Sequence, residues 1–130
     1  MRRLSVLHMG VGIAAVILFL YTGLYMRTHF PEVYSSNESI RYLFRANHIY
    51  LLFSALLNIA LAVYITPSEL AWKRKVQRPG SSLLVIGTML LTWGFFVEPM
   101  TGSPFRPITQ IGIFTAFISS ICHFLGGYNR

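Results

Sequence analysis

Residues 4–26, LSVLHMGVGIAAVILFLYTGLYM, form an apolar run that no Lys, Arg, Asp or Glu interrupts. A helix of about 20 apolar residues matches a hydrocarbon core about 30 Å thick, so the run reads as a first transmembrane helix. His8 sits in it, about a turn inside the N-terminal end. An ionisable group at membrane depth is costly and marks a candidate functional position. Tyr21 and Tyr25, near the far end, suit the depth of the lipid headgroups. The Met-Arg-Arg start is reminiscent of a secretory signal, but the run exceeds the ~7–15 residues of a signal h-region and lacks a small-residue cleavage site. It is expected to be an uncleaved signal anchor.

Composition supports the same reading along the whole chain. Of 130 residues, 54% are hydrophobic and 12% charged, and a soluble domain this small exposes too much surface for so few charges to cover. A single membrane domain, residues 1–130, is therefore expected. Eleven Lys and Arg against four acidic residues give a net charge of +7. In a soluble chain that balance would suggest nucleic acid, but here the charges flank apolar runs. No aromatic-interleaved basic face for single-stranded nucleic acid is visible, so nucleic acid is not an expected partner. Cys122 is the only cysteine, which excludes an intrachain disulfide and Cys-based zinc or iron–sulfur sites. There is no Gly-rich phosphate loop, nucleophile elbow or zinc-protease helix, which leaves redox chemistry in the membrane as the catalytic option.

Outward from the first helix, Thr28-His29-Phe30-Pro31 reads as a short loop, and Ser35 with Glu38 has the form of a capping box. A second helix, about 36–65, is expected to start there, its first turns carrying Arg41, Arg45, Asn47 and His48. Thr66-Pro67-Ser68-Glu69 offers another capping box. It would open an interfacial helix, about 67–77, with Trp72 and a basic cluster, which Arg78-Pro79-Gly80 should break. A third span follows at about 82–98, closed by Glu98-Pro99, and a fourth at about 107–125, stopped by Gly126-Gly127. The fold expected is an all-α integral membrane protein, a four-helix up-down-up-down bundle. Arg2, Arg3, Lys73, Arg74, Lys75, Arg78 and Arg130 then lie on one side, and Arg27, Arg41, Arg45 and Arg106 on the other. The positive-inside rule puts both termini in the cytoplasm, in an inner, cytoplasmic-type membrane.

This topology sorts the histidines by depth. His8 near the inner end of the first helix and His123 near the inner end of the fourth come out level. Below His8 the same face carries Gly12 and Ala15; below His123 it carries Ser119, Ala116 and Gly112. Two level imidazoles above small-residue stripes suit a porphyrin held edge-on between helices. The expectation is a haem b with His8 and His123 as axial ligands, in an electron-transfer subunit. In shape the bundle resembles the small four-helix membrane cytochromes of the b type. The competing reading is that the small residues only let helices pack closely and that the histidines are structural.

At the outer end, Arg41, Arg45 and His48 share one face of the second helix, and Glu98 and Arg106 flank the third connection. An ion-pair network, Glu98 with Arg45 or Arg106, is the structural expectation. The functional alternatives are a second haem on His48 with its carboxylates on Arg41 and Arg45, or a lipid phosphate or quinone headgroup on that comb. For a quinone, Glu98 and His48 would exchange protons. Asn47, Ser54 and Asn58, with Thr88 and Thr92, are expected to bond across helices as packing glue. Beyond the lipid bilayer, the partners to expect are other membrane subunits or further copies of the chain. That leaves a non-catalytic accessory or assembly subunit of a larger membrane complex as the alternative to a redox protein.

Overall fold

Four long helices carry nearly all of the chain that is described. The computed structural model describes residues 2–65 and 70–127. Within them α1 spans Arg2–Val33, α2 Glu38–Tyr64, α3 Ala71–Val97 and α4 Pro107–Gly127, with a 3-10 turn, Pro99–Thr101, between α3 and α4. All four helices are long and apolar enough to cross a membrane. The protein is an all-helical, four-span membrane bundle.

The buried positions explain why these helices associate. In α4 they are Thr109, Gly112, Ala116, Ser119, His123 and Gly126, steps of three and four that define the seam of a left-handed bundle. In α3 the seam runs Ser81, Leu84, Thr88, Leu91 and Phe95, and in α2 Phe44, Asn47, Leu51, Ser54 and Asn58. Small and polar side chains occupy much of these seams, whereas Ile13, Ile17, Leu20, Phe114, Phe117 and Phe124 point outward. Lipid tails are as apolar as leucine, so burying leucine drives nothing here; close backbone approach and interhelical hydrogen bonds do. A Cβ on Gly87 would sit 2.7 Å from the Thr115 hydroxyl and 3.0 Å from the Gly112 carbonyl, so glycine is what lets α3 and α4 touch. At the outer end, aromatic packing takes over, with Phe30, Phe44 and Phe95 clustered under Tyr25 and Tyr34.

Helix α1 lies along α2, α4 lies along α3, and the two hairpins join through α2 and α3. Among the described residues no Cα of α1 comes within 8 Å of one of α4. Residues that meet between those two helices must do so through their side chains.

Three local expectations need correction. The loop at residues 28–31 is helix: α1 continues to Val33 with Pro31 inside it. Proline so near a helix end removes a single backbone bond, and Phe30, packed on Phe44 with ring centroids 5.7 Å apart, holds the last turn down. The capping box is not made by Ser35; Asn37 is the cap, its side chain accepting from Ile40 N–H at 3.1 Å, and α2 starts at Glu38. The break at Arg78-Pro79-Gly80 is also absent, because α3 is continuous from Ala71 with Pro79 inside it. Packing against α4 spans the proline: Ser119 Oγ donates to the Gly80 carbonyl at 2.7 Å. Trp72 and the basic cluster thus belong to α3 itself. The second capping box, at residues 66–69, lies outside the described residues.

Candidate functional site

The inner site begins with Asn58, fully buried on α2. Its Nδ2 donates to the Ser54 carbonyl and to Thr88 Oγ1, each at 2.9 Å. The Thr88 hydroxyl proton is spent on the Leu84 carbonyl, also at 2.9 Å, so Thr88 receives from Asn58. That orientation turns Asn58 Oδ1, a pure acceptor, toward His8 Nδ1 at 2.8 Å. His8 Nδ1–H therefore donates to Asn58 Oδ1, and in the neutral imidazole Nε2 is then the nitrogen with the free lone pair. Among the described residues Nε2 is buried and has no hydrogen-bond partner.

Facing it from α4 is His123, with ring centroids 6.0 Å apart and planes at 83°. His123 Nε2 lies 3.2 Å from Ser81 Oγ on α3, and its Nδ1 is likewise buried and unpartnered. Gly80 makes room for this ring, since a Cβ there would sit 2.8 Å from Cys122 Cβ and 3.4 Å from the imidazole. The pair levelled by topology thus meets in the interior. One buried, unsatisfied polar atom costs about 1–3 kcal/mol, and this site holds two.

The stripes beneath the histidines do other work. Gly12 abuts α2, where a Cβ would meet Ile59 and the Ala55 carbonyl, and Gly112 abuts Leu91 and the Gly87 carbonyl of α3. They bring α1 onto α2 and α4 onto α3 rather than facing each other across a slot. An open groove of about 280 Å³ does reach His123 between α2 and α4, lined by Leu57, Ala60, Leu61, Tyr64, Ser120 and Phe124.

At the outer end Glu98 is buried, and its carboxylate caps α4. Ile108 N–H donates to Oε1 at 2.6 Å and Thr109 N–H to Oε2 at 3.0 Å; the Thr109 hydroxyl donates to Oε2 as well. A carboxylate on the free amides at a helix start is favourable through both hydrogen bonding and the helix dipole. Arg106 turns instead to Asn47, donating to Oδ1 at 2.6 Å, and lies 6.0 Å from the centre of the Tyr50 ring. Asn47 completes the tie by donating to the Gly94 carbonyl at 2.9 Å. The expected ion pair of Glu98 with Arg45 or Arg106 is absent among the described residues, because α4's own amides satisfy the carboxylate.

His48 belongs to a different surface. The Thr22 hydroxyl donates to the Phe19 carbonyl, so His48 Nδ1–H donates to Thr22 Oγ1 at 3.0 Å, and the ring stacks on Phe19 with centroids 4.0 Å apart. It pairs α2 with α1 and makes no hydrogen bond to Glu98. Arg41 and Arg45 face a groove shared with α1. The seven residues singled out in the sequence therefore divide into an inner pair, an α4 cap with its neighbouring arginine, and an α1–α2 face. Of the residues that orient the inner pair, Asn58 and Thr88 show in the sequence only as mid-span polar residues, and Ser81 shows only as a possible cap just ahead of the third span expected at about 82–98.

Comparison with protein families, with curated proteins and with solved structures returns no match.

Proposed function

We propose that this chain is a membrane redox subunit that binds haem b through His8 and His123, with both termini on the cytoplasmic side. The observation that carries the reading is the pair of buried imidazoles, each with one ring nitrogen left without a partner. Asn58 fixes the His8 proton on Nδ1, which is the arrangement that orients an imidazole ligand and raises its basicity. Ser81 holds the other ring. The reading rests on the imidazoles alone, because the small-residue stripes are engaged in helix packing. A bis-imidazole haem supplies one-electron transfer when bound. The protein's own part is to hold two imidazole ligands in the interior between α1 and α4, whose backbones stay apart.

The orientation follows from charge. Arg74, Lys75 and Arg78 crowd the start of α3, which packs against the end of α4, and positive residues stay on the cytoplasmic side.

The reduced-minus-oxidised absorption spectrum of the detergent-purified protein from haem-replete cells tests the site. b-type Soret and α bands at one haem per chain are expected. His8→Ala or His123→Ala should remove or shift them, and His29→Ala, on the exposed outer end of α1, should leave them. A colourless protein ends the reading.

One observation favours the second reading, an accessory subunit of a larger membrane complex. In α1 only 17% of the most apolar stretch is buried within the bundle, which leaves Val6, Ile13, Ile17 and Leu20 exposed for lipid or for another subunit. Stoichiometric co-purification of a partner with no chromophore would support that alternative over haem binding.

A further inference from the structure

The outer ends of α1 and α2 enclose an open groove of about 460 Å³ lined by Met26, Arg27, Phe30, Pro31, Arg41 and Arg45. Three of these are arginines, contributed by two helices. Among the described residues none of the three makes a side-chain hydrogen bond or an ion pair. Glu32 and Glu38, the nearest acids in the sequence, are exposed and stay unpaired with them. Arg41 Nε is moreover buried without a partner. Three like charges lining one space, with no internal counter-charge, favour an anion there. Guanidinium forks match the oxygens of a phosphate group, two bonds at a time.

The remaining wall is apolar, with Met26, Phe30 and Pro31 beside the charges. A free inorganic anion has no use for such a wall, whereas a phosphodiester that continues into acyl chains does. The groove also lies where a membrane places that junction, at the end of two spans and close to Tyr25 and Tyr34, residues of the type that settles at headgroup depth. We infer that Arg27, Arg41 and Arg45 form a binding site for the phosphate group of a membrane phospholipid. The inference is independent of the haem reading, since the two sites share no residue. It also accounts for Arg41 and Arg45 without a second haem.

Native mass spectrometry of the delipidated protein in detergent, with added phosphatidylglycerol, tests it. A one-to-one adduct is expected, and diacylglycerol with the same chains should give less than a tenth of it. The double substitution Arg41→Gln, Arg45→Gln should lower the adduct at least tenfold. Arg27→Gln and Arg45→Gln alone, at exposed positions that the fold does not need, should each lower it severalfold with unchanged helical circular dichroism. Diacylglycerol binding equally well, or adducts that persist in the arginine variants, would overturn the assignment. Inorganic phosphate displacing the lipid at equal concentration would overturn the lipid as the source of the phosphate.

Discussion

His8 and Glu98 are both buried ionisable groups, and the difference between their surroundings defines their roles. Glu98 accepts from two backbone amides and a hydroxyl, so both oxygens are satisfied. Replacing it by Gln presents an NH₂ to one of those donors, and the lost cap should cost about 1–3 kcal/mol, read as a lower thermal midpoint in detergent. Glu98 and Arg106 connect only through Thr109 and Asn47, so any coupling in the double-mutant cycle of Glu98→Gln with Arg106→Gln should vanish in an Asn47→Leu background; a coupling that persists there would restore the ion-pair reading. His8 keeps one nitrogen unpaired while Asn58 occupies the other. Asn58→Leu removes that acceptor together with the bond to Thr88 and should cost about 1–2 kcal/mol, as interhelical bonds in membranes do. If haem is bound, the same substitution should shift the midpoint potential without removing the chromophore, whereas a purely packing role would leave the potential unmoved.

The behaviour of proline and glycine in α3 is an element-scale result. Read locally, Arg78-Pro79-Gly80 is a break, yet the helix passes through it. Proline forfeits one backbone bond and strains one turn, and the α4 contact at Gly80 outweighs that loss. Pro79→Ala should therefore leave the melting midpoint unchanged or raise it. Gly80→Ala, whose methyl would lie 2.8 Å from Cys122 Cβ, should destabilise by about 1–3 kcal/mol through overpacking. A reversed order would mean that the proline, rather than the helix contact, controls this segment. The same logic extends α1 past Pro31, where burial of Phe30 beside Phe44 and Phe95 decides the outcome.

At the scale of the whole molecule, four alternating spans put the start of α1 and the end of α4 at one end of the bundle and the α1–α2 turn at the other. Reporter fusions after α4 and within residues 34–37 should give opposite compartment signals, and on the orientation proposed from basic-residue bias the C-terminal reporter should read as cytoplasmic. Identical signals would contradict the four-span topology itself. The bundle also separates its polar groups, with the paired imidazoles toward the terminal end and the α4 cap and arginine groove toward the other.

The number of spans and their approximate positions were legible in the sequence, because crossing a membrane depends on the summed apolarity of about 20 consecutive residues, a local property. The equal depth of His8 and His123 followed from the same counting. The partners of the polar groups were not legible. The topology puts Glu98 at the same end as Arg45 and Arg106, which suggests an ion pair, but the carboxylate goes to amides of α4 that lie ten and eleven residues away in the chain. The small residues near the histidines suggested a slot between α1 and α4, whereas Gly12 and Gly112 serve the α1–α2 and α3–α4 contacts. Those assignments depend on which face of each helix meets which neighbour, a choice made by close packing and hydrogen-bond satisfaction across the bundle, and only the tertiary structure decided it.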